Sequence, residues 1–432
     1  MALTVIAIMK TFLHRLFAFN FNLMRIFSLK ENRVSFLAPH PTHPGDTLSL
    51  VKERLDREGE YETRLIPSVT KRDGLRALLR FFTADCFYLA TAKYIFLNDN
   101  FMPMAYMSFP EKVKIIQLWH GDGAFKRFAL GSKLPKEAEK NMRLIAPKIS
   151  FVICSGEGCV PIYAEAFGVP KERVLPLGSP RADNILFGEK ADRSLLYDAY
   201  PALRGKRLVL YAPTFRDTMR EDERLMQNID MNYFSKALGS EYAFAVKLHP
   251  QVHSSSVPKG AIDLTHCKIP GLIKMCDVLV TDYSSICMDA ALLYKKCIFF
   301  AFDKEKYSLD RSFYFDYDSY VPGPVVSTFE GVVEEIKKAF TFECGSSGPA
   351  CGTLEGITEE EKEDFGCKRS SLDPAYGTFE GVDGEKEKAE TEKTEEFLRF
   401  NFSAIGGAVG RICNLLYNGQ EDYRQKRRNS DE

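Results

Sequence analysis

The chain has 432 residues, and its 58 lysines and arginines nearly balance its 59 aspartates and glutamates. This length is typical of two or three domains, and the balanced charge argues against binding of the whole chain to nucleic acid. With 45% hydrophobic and 27% charged residues, the composition excludes a disordered chain and a membrane bundle. The 11 cysteines form no Cys-x-x-Cys pair, which favours a reducing compartment over a disulfide framework or a structural zinc site.

The N-terminal segment has basic side chains but no acidic one before Glu31. On a helical wheel, Lys10, His14 and Arg25 share one side, and the other side is apolar except for Asn20. The segment has neither a signal-peptide pattern nor an apolar run of the roughly 18–20 residues that span a membrane. We expect 1–30 to form an amphipathic helix on the anionic cytoplasmic face of the cell membrane. A helix packed on its own domain is the alternative.

Short apolar runs then alternate with helix-length stretches, which is typical of parallel sheets covered by helices. The predicted strands are Arg33 to Leu37, Lys93 to Leu97, Lys114 to Leu118, Phe151 to Cys154, Arg207 to Tyr211, Ala243 to Leu248, Asp277 to Val280 and Cys297 to Phe300. We therefore predict an α/β protein with two Rossmann-like domains that face a cleft. Their expected limits are 31–180 for the acceptor side and 181–340 for the nucleotide-donor side.

Beyond the second domain, a short repeat occurs three times. The segment 328–332 (TFEGV) recurs at 353–357 and at 378–382. Only the first copy keeps its apolar positions, because Ile336 is replaced by Glu361 in the second copy and by Lys386 in the third. We expect the first copy to be a domain helix and 341–394 to be a disordered insertion. A helix at 395–418 and a polar tail at 419–432 follow.

The polar motifs lie where the predicted strands end, which is where open α/β sheets bind their ligands. Ser284 and Ser285 precede a helical stretch, so their hydroxyls and free backbone N–H groups are suited to phosphate. Asp289, one turn later, is placed for a ribose or polyol hydroxyl. Arg216 and Lys247 add positive charge at neighbouring strand ends. A plain helix cap is the alternative for the two serines.

Two of the seven histidines, His120 and His249, directly follow predicted strands. A histidine near its ordinary pKa of about 6.5 can accept a proton from an attacking hydroxyl or hydrogen-bond a phosphoryl oxygen. We therefore predict that both are catalytic, with structural histidines at strand ends as the alternative. No metal-ligand spacing surrounds them, and we expect no metal and no cofactor. The chain also lacks a Walker loop and a Gly-x-Gly-x-x-Gly motif.

In order, these motifs resemble the CDP-glycerol glycerophosphotransferases of teichoic acid synthesis, over roughly residues 85 to 335. The segments that carry the resemblance are 119–121 (WHG), 178–183 (GSPRAD), 211–216 (YAPTFR), 248–250 (LHP), 281–285 (TDYSS) with Asp289, and the later Asp303, Tyr307, Arg311 and 322–324 (PGP). The resemblance implies a GT-B fold, peripheral membrane association, and transfer of glycerol phosphate from CDP-glycerol to a polyprenol-linked acceptor.

The resemblance also implies roles for single residues. His120 would be the base, and the donor site would be lined by Arg181, Arg216, His249, Ser284, Ser285 and Asp289. The expected substrate site also includes Gly121, Asp122, Thr214, Lys247 and Asp282, which lie in or beside these motifs. Asp122 departs from the family, which commonly has Thr-Pro after Trp-His-Gly. A carboxylate there could orient the base or raise its pKa.

Our main hypothesis is therefore a phosphotransferase that uses CDP-glycerol or CDP-ribitol and releases CMP. The expected partners are that donor, a polyprenol-linked acceptor and an anionic membrane surface, but no nucleic acid. A GT-B glycosyltransferase or epimerase that uses a UDP-sugar is the second hypothesis. A non-catalytic membrane scaffold is the third.

Overall fold

The protein is built from two parallel β-sheets of six strands each, as seen in a computed structural model. The structure describes residues 2–69, 73–189, 191–216, 218–249, 252, 257–310, 312–341 and 385–417. The predicted segments 353–357 and 378–382 and the tail 419–432 lie outside these residues.

The first sheet has the strand order β2-β1-β3-β4-β5-β6. Its strands are β1 (Lys30–Ala38), β2 (Glu62–Pro67), β3 (Ala92–Leu97), β4 (Lys114–Gln117), β5 (Phe151–Ile153) and β6 (Val174–Leu175). In the centre of the sheet, Phe36 lies opposite Leu65 on one side and Phe96 on the other. All pairs are parallel, so the loops that carry the polar motifs leave the sheet at one edge.

Helices cover both faces of this sheet. They are α1 (Ala2–Met24), α2 (Thr47–Glu58), α3 (Gly74–Arg80), α4 (Cys86–Ala90), α5 (Lys136–Ile145) and α6 (Val160–Phe167). A π-helical turn, Phe81–Asp85, joins α3 to α4, and a 3-10 turn, Met102–Tyr106, follows β3. Helices α1, α4, α5 and α6 share one core, and α2 packs on the opposite face.

The second sheet has the order β12-β11-β10-β7-β8-β9. Its strands are β7 (Arg207–Tyr211), β8 (Tyr242–Val246), β9 (Ile262–Asp263), β10 (Val278–Thr281), β11 (Lys296–Phe300) and β12 (Val325–Val326). Its helices are α7 (Pro180–Phe187), α8 (Arg193–Ala199), α9 (Met219–Gln227), α10 (Met231–Leu238), α11 (Ile269–Met275), α12 (Ile286–Leu292), α13 (Lys304–Asp310), α14 (Tyr317–Tyr320) and α15 (Phe329–Thr341).

The last two helices, α16 (Glu385–Asn401) and α17 (Ala408–Tyr417), join the two halves. Phe397 and Leu398 of α16 pack into the core of the second sheet. Ile412 and Leu416 of α17 pack on the first sheet, beside α2. The chain therefore crosses from one half to the other before it ends, and apolar burial fixes both attachments.

Helix α1 is divided between core and surface. Phe17 and Phe21 are each 1% exposed and belong to the core of the first sheet. Phe17 stacks on Phe81 with ring centroids 4.6 Å apart. Phe12, by contrast, is 63% exposed. The helical wheel put Phe12 and Phe17 on one face, but only the tertiary fold decides which of them is covered. No described helix combines the length and the apolarity needed to cross a membrane.

All eight predicted strands are present. Four further strands, β2, β6, β9 and β12, were not predicted because three have only two residues and β2 carries Glu62 and Arg64. The first copy of the repeat forms α15, as predicted, and buries its Val332 and Ile336 completely. Helix α16 begins at Glu385, earlier than the expected boundary at 395, because its first turns are charged and give no apolar signal.

Candidate active site

Three loops that follow neighbouring strands of the first sheet meet around His120. His40 follows β1, Asn98 and Asp99 follow β3, and His120 itself follows β4. The His120 and His40 rings stack with centroids 4.2 Å apart and planes 7° from parallel. The centre of the Trp119 ring lies 4.0 Å from the centre of the His120 ring. The predicted base is therefore held by contacts with neighbouring side chains.

One hydrogen bond fixes the tautomer of His120. Its Nδ1 lies 3.0 Å from the backbone oxygen of Asn98. A carbonyl oxygen only accepts, so Nδ1 carries the hydrogen and Nε2 keeps the lone pair that a base needs. The carboxylate of Asp99 lies 3.9 Å from the same Nδ1. It is placed to stabilise the imidazolium that forms when Nε2 takes a proton.

The surroundings of His120 lower its pKa. Burial is the main cause, since a desolvated imidazole is harder to charge; Asp99 opposes this effect and His40 reinforces it. The side chain nevertheless keeps 32% of its surface exposed. His120 is therefore an accessible imidazole whose surroundings favour its neutral form, as the predicted base requires.

The loop that carries His120 is clamped by hydrogen bonds. The Tyr163 hydroxyl donates to the backbone oxygens of Gly121 and Gly123, at 3.0 and 3.1 Å. The Gly123 N–H donates to the Ser155 hydroxyl at 2.9 Å. Gly123 has φ +66, and a Cβ there would lie 2.5 Å from Oδ1 of Asn401, so no other residue fits. Gly121 thus contributes to the site through its backbone.

Arg181 links the two halves of the molecule. Its guanidinium donates to both oxygens of Asp289, one of them at 2.6 Å, and lies 3.4 Å from Asp122. Burial opposes the charge of Arg181, but Asp289 and Asp122 outweigh it and raise its pKa. Asp122 stands two residues after His120, and Asp289 lies on α12. One arginine thus connects the loop of the base to the predicted donor helix.

Arg216 lies in a second buried network. Its guanidinium donates to Asp282 at 2.9 Å and to Asp303 at 2.8 and 3.1 Å. Its guanidinium carbon lies 5.3 Å from the centre of the Tyr283 ring. Asp282 also accepts the backbone N–H of Thr214 at 2.8 Å. Two carboxylates therefore compensate Arg216, and Asp282 has no exposed surface with which to contact a ligand.

Lys247 and His249 form a cationic edge beside that network. Lys247 is only 7% exposed, and its Nζ donates to the backbone oxygen of Leu248 at 3.1 Å. Burial lowers its pKa. The pKa of the exposed His249 is lowered too, first by burial and then by Lys247 and Lys126. An anion bound here would relieve the mutual repulsion of these groups.

The hydroxyls predicted to contact the donor have different surroundings. Ser284 accepts the backbone N–H of Ile286 at 3.4 Å, while Ser285 is exposed and makes no capping hydrogen bond. Thr214 is 5% exposed, and its Oγ1 has no hydrogen-bond partner in the described part of the chain. Of the three, Ser285 is the hydroxyl with open access.

The predicted site residues thus form two clusters. The first joins His120, Gly121, Asp122, Arg181 and Asp289. The second contains Thr214, Arg216, Lys247, His249, Asp282, Ser284 and Ser285. Within the described ranges, no group of three or more His, Cys, Asp or Glu side chains is arranged to hold a metal ion.

Several residues of the site were missed from sequence. Asn98, Asp99 and His40 surround His120, but none of them belongs to the motifs from which the site was predicted. The signal was present, because His40 follows the first strand as His120 follows the fourth, and loops after parallel neighbouring strands share one edge. Asn401 gave no such signal. It accepts the Ala124 N–H at 2.9 Å across most of the chain length.

The chain matches the model of a known protein family. Residues 17–342 match the model of the CDP-glycerol:poly(glycerophosphate) glycerophosphotransferase family. The chain belongs to this glycerophosphotransferase family. The match extends beyond the range in which the motifs carried the resemblance, and it includes the strands, the His120 loop and the Arg216 network.

Two relatives come from Bacillus spizizenii. The teichoic acid poly(ribitol-phosphate) polymerase is 33% identical over 347 residues, which are 76% of this chain and 54% of that protein. The teichoic acid ribitol-phosphate primase is 30% identical over 349 residues, which are 76% of this chain and 89% of that protein. This glycerophosphotransferase family member thus spans about half of the polymerase but most of the primase.

The fold is similar to that of a teichoic acid polymerase of known structure. The wall teichoic acid polymerase TagF, in a variant soaked with CDPG, superimposes with a TM-score of 0.63 at 22% identity, over 91% of this chain and 90% of that chain. The likeness confirms the predicted fold, two Rossmann-like domains in a GT-B arrangement.

Proposed function

We propose that this family member transfers glycerol phosphate, or a related alditol phosphate such as ribitol phosphate, from its CDP-activated form to a lipid-linked acceptor. CMP is released, and the product enters teichoic acid or a related cell-surface polymer. The observation that carries the proposal is the neutral His120, whose tautomer is fixed by Asn98 and whose loop is tied by Arg181 to the helix after Ser285.

In the proposed reaction, the acceptor hydroxyl oxygen attacks the β-phosphorus of the donor. A new P–O bond forms as the bond from that phosphorus to the bridging oxygen breaks. CMP leaves with the electron pair of the broken bond, and Nε2 of His120 receives the hydroxyl proton. Asp99 then faces the imidazolium. Positioning and charge stabilisation supply most of the catalysis in such transfers.

The second cluster is suited to the diphosphate of the donor. Lys247 is buried, its Nζ donates to the backbone oxygen of Leu248, and Asp263 is the carboxylate that favours its charge. A phosphate at this edge would stabilise the charge of Lys247, and His249 and Ser285 would add further donors. Arg216 keeps its place in this proposal as the support of the cluster, since two carboxylates already neutralise it.

Asp289 and Asp282 also act as supports in the proposal. Both are completely buried and each holds an arginine. The sequence-based role of Asp289, a contact to a ribose or polyol hydroxyl, would require the bidentate Arg181 pair to open. Asp122 takes the positioning role between the base and Arg181 rather than a direct substrate contact.

We further propose that the enzyme works on the cytoplasmic face of the membrane. Exposed apolar side chains of α1 and of α3 support this, because α3 runs into the π-helical turn on which α1 packs. They are Met9, Phe12, Leu13, Leu16, Phe19, Leu23, Leu75, Leu78 and Leu79. Basic side chains such as Lys10 and Arg15 would attract anionic lipid.

Nucleotide release from purified protein tests the proposal. The protein is incubated with a lipid-linked acceptor and with CDP-glycerol, CDP-ribitol or a UDP-sugar in parallel. Release of CMP from either CDP donor supports the proposal. Release of UDP instead would make the chain a GT-B glycosyltransferase or epimerase. Absence of turnover with all three donors would favour the non-catalytic scaffold.

A further inference from the structure

His40 stacks on His120, and the proposed reaction assigns no role to His40. The rings are almost parallel, with centroids 4.2 Å apart. Parallel stacking at this distance restricts the plane of each ring. Both histidines come from loops that leave the same edge of the first sheet.

The pair is held by one residue that contacts both loops. The Asn98 side chain donates to the backbone oxygen of His40 at 2.8 Å and accepts the His40 N–H at 3.3 Å. The backbone oxygen of the same Asn98 accepts Nδ1–H of His120 at 3.0 Å. His40 Nδ1 in turn lies 2.9 Å from the Pro41 oxygen. The hydrogen bonds of Asn98 to the His40 backbone therefore fix the position of His40 against the base.

We propose that His40 is a positioning residue for the base, fixing the plane of the His120 ring and disfavouring a positive charge on it. This role rests on the proposed function of His120. Positive charges on two rings at this distance would repel each other. His40 thereby helps to keep the base free at neutral pH.

The other charges around His120 act in the opposite direction. Asp99, after β3, lies 3.9 Å from Nδ1, and Asp46, just before α2, also favours the charged ring. Asp122 on the loop of His120 is engaged by Arg181. Since burial and His40 together outweigh these carboxylates, the pKa of His120 is lowered. Removing the His40 imidazole should therefore raise the pKa of His120.

The test is the pH profile of kcat/KM for His40→Phe, which keeps a flat ring but cannot carry a proton. Protonated His120 is inactive, so activity is lost as the pH falls through its pKa. We expect this acid limb to move upward by roughly 0.5–1 pH unit, with little change in the plateau at higher pH. His40→Ala should in addition lower kcat while donor KM stays unchanged, because the ring plane is no longer fixed. The matched control is His43→Phe, at an exposed histidine of the same segment, which should shift nothing.

A second readout does not depend on turnover. The pKa of His120 is measured by NMR in histidine-labelled protein, with its resonance assigned through His120→Gln. An upward shift in His40→Phe confirms the proposal, even if the wild-type protein transfers nothing and the proposed function fails. An unchanged pKa overturns it. Should His40→Phe fail to fold, His40→Gln gives the same comparison without a charge.

Discussion

A histidine serves as a general base only when one nitrogen is free, the ring is neutral and the ring is held in place. In His120, the bond to Asn98 leaves Nε2 free, burial keeps the ring neutral, and the stack on His40 fixes its plane. These three conditions are met by residues from three different loops. The base is thus a property of the sheet edge and not of the Trp-His-Gly motif alone.

Replacement of the base separates chemistry from binding. His120→Gln should lower turnover by roughly 10²–10⁴-fold, the usual contribution of general base catalysis. Donor affinity measured by calorimetry should stay near the wild-type value, since His120 acts on the acceptor. His43→Gln is the control and should retain turnover. Near-normal turnover in His120→Gln would make this histidine structural.

Lys247 offers a separate test of the donor site. Lys247→Met should weaken donor binding roughly 10- to 100-fold, the loss expected for one charge-assisted hydrogen bond to phosphate. Stability should not fall, because a poorly compensated buried charge has been removed. Lys274→Met is the matched control, since Lys274 also has a burial-lowered pKa and donates to a backbone oxygen. Equal donor affinity in both variants would place the phosphate site elsewhere.

The polar contact between the two halves depends on α12. Asp289 is fully buried, and its pair with Arg181 connects α12 to α7 and to the His120 loop. Asp289→Asn removes one partner and leaves a largely buried guanidinium without its main counter-charge. We expect a loss of about 3–5 kcal/mol in the free energy of unfolding, measured by urea denaturation. Asp122→Asn is the milder control, because that contact is longer. A loss below about 1 kcal/mol for Asp289→Asn would contradict this assignment.

The division of α1 between core and surface gives the membrane proposal its test. The triple variant Phe12→Ser, Leu16→Ser and Phe19→Ser changes only exposed side chains, so it should fold normally and float less with anionic vesicles. Phe17→Ser is the matched control. It should instead destabilise the first domain by about 3–5 kcal/mol, because Phe17 is buried against Phe81. Wild-type protein that ignores anionic vesicles would refute the membrane role.

The elements show how far the sequence alone leads. Continuous apolar runs such as Phe151–Ile153 identify buried central strands, because both faces are covered by helices. Edge strands such as Val174–Leu175 are too short for any periodicity to register. The charged start of α16 likewise gives no apolar pattern. Local sequence thus predicts the buried layers and misses elements that exist only through their neighbours.

The same limit applies to the site. Single strand-end motifs identified His120, Arg216 and Lys247, since each lies within five residues of the end of a strand. The pairing of Arg181 with Asp289 was not foreseen, because these residues meet only through the packing of α7 on α12. Motifs therefore predict which residues gather at the cleft. They do not predict which of them bind the substrate and which support another side chain.

Hydrogen bonds and apolar contacts join the two sheets. Asp183 of α7 accepts the backbone N–H groups of Gly406 and Ala408 at 2.6 and 2.8 Å. These N–H groups lie at the N-terminus of α17, which packs on the first sheet. Together with Arg181, these contacts couple the position of His120, the proposed base, to that of the proposed donor site. A reaction between an acceptor on one side and a donor on the other requires such a coupling.

The most direct test of the central claim is mass analysis of the product. Wild-type protein and His120→Gln are each given a polyprenol-linked acceptor with CDP-glycerol and with CDP-ribitol. We predict that the wild-type product gains the mass of one or more alditol phosphate units with at least one donor, with one CMP released per unit, and that His120→Gln forms far less of it. An acceptor of unchanged mass with both donors, or equal product from His120→Gln, would contradict the account.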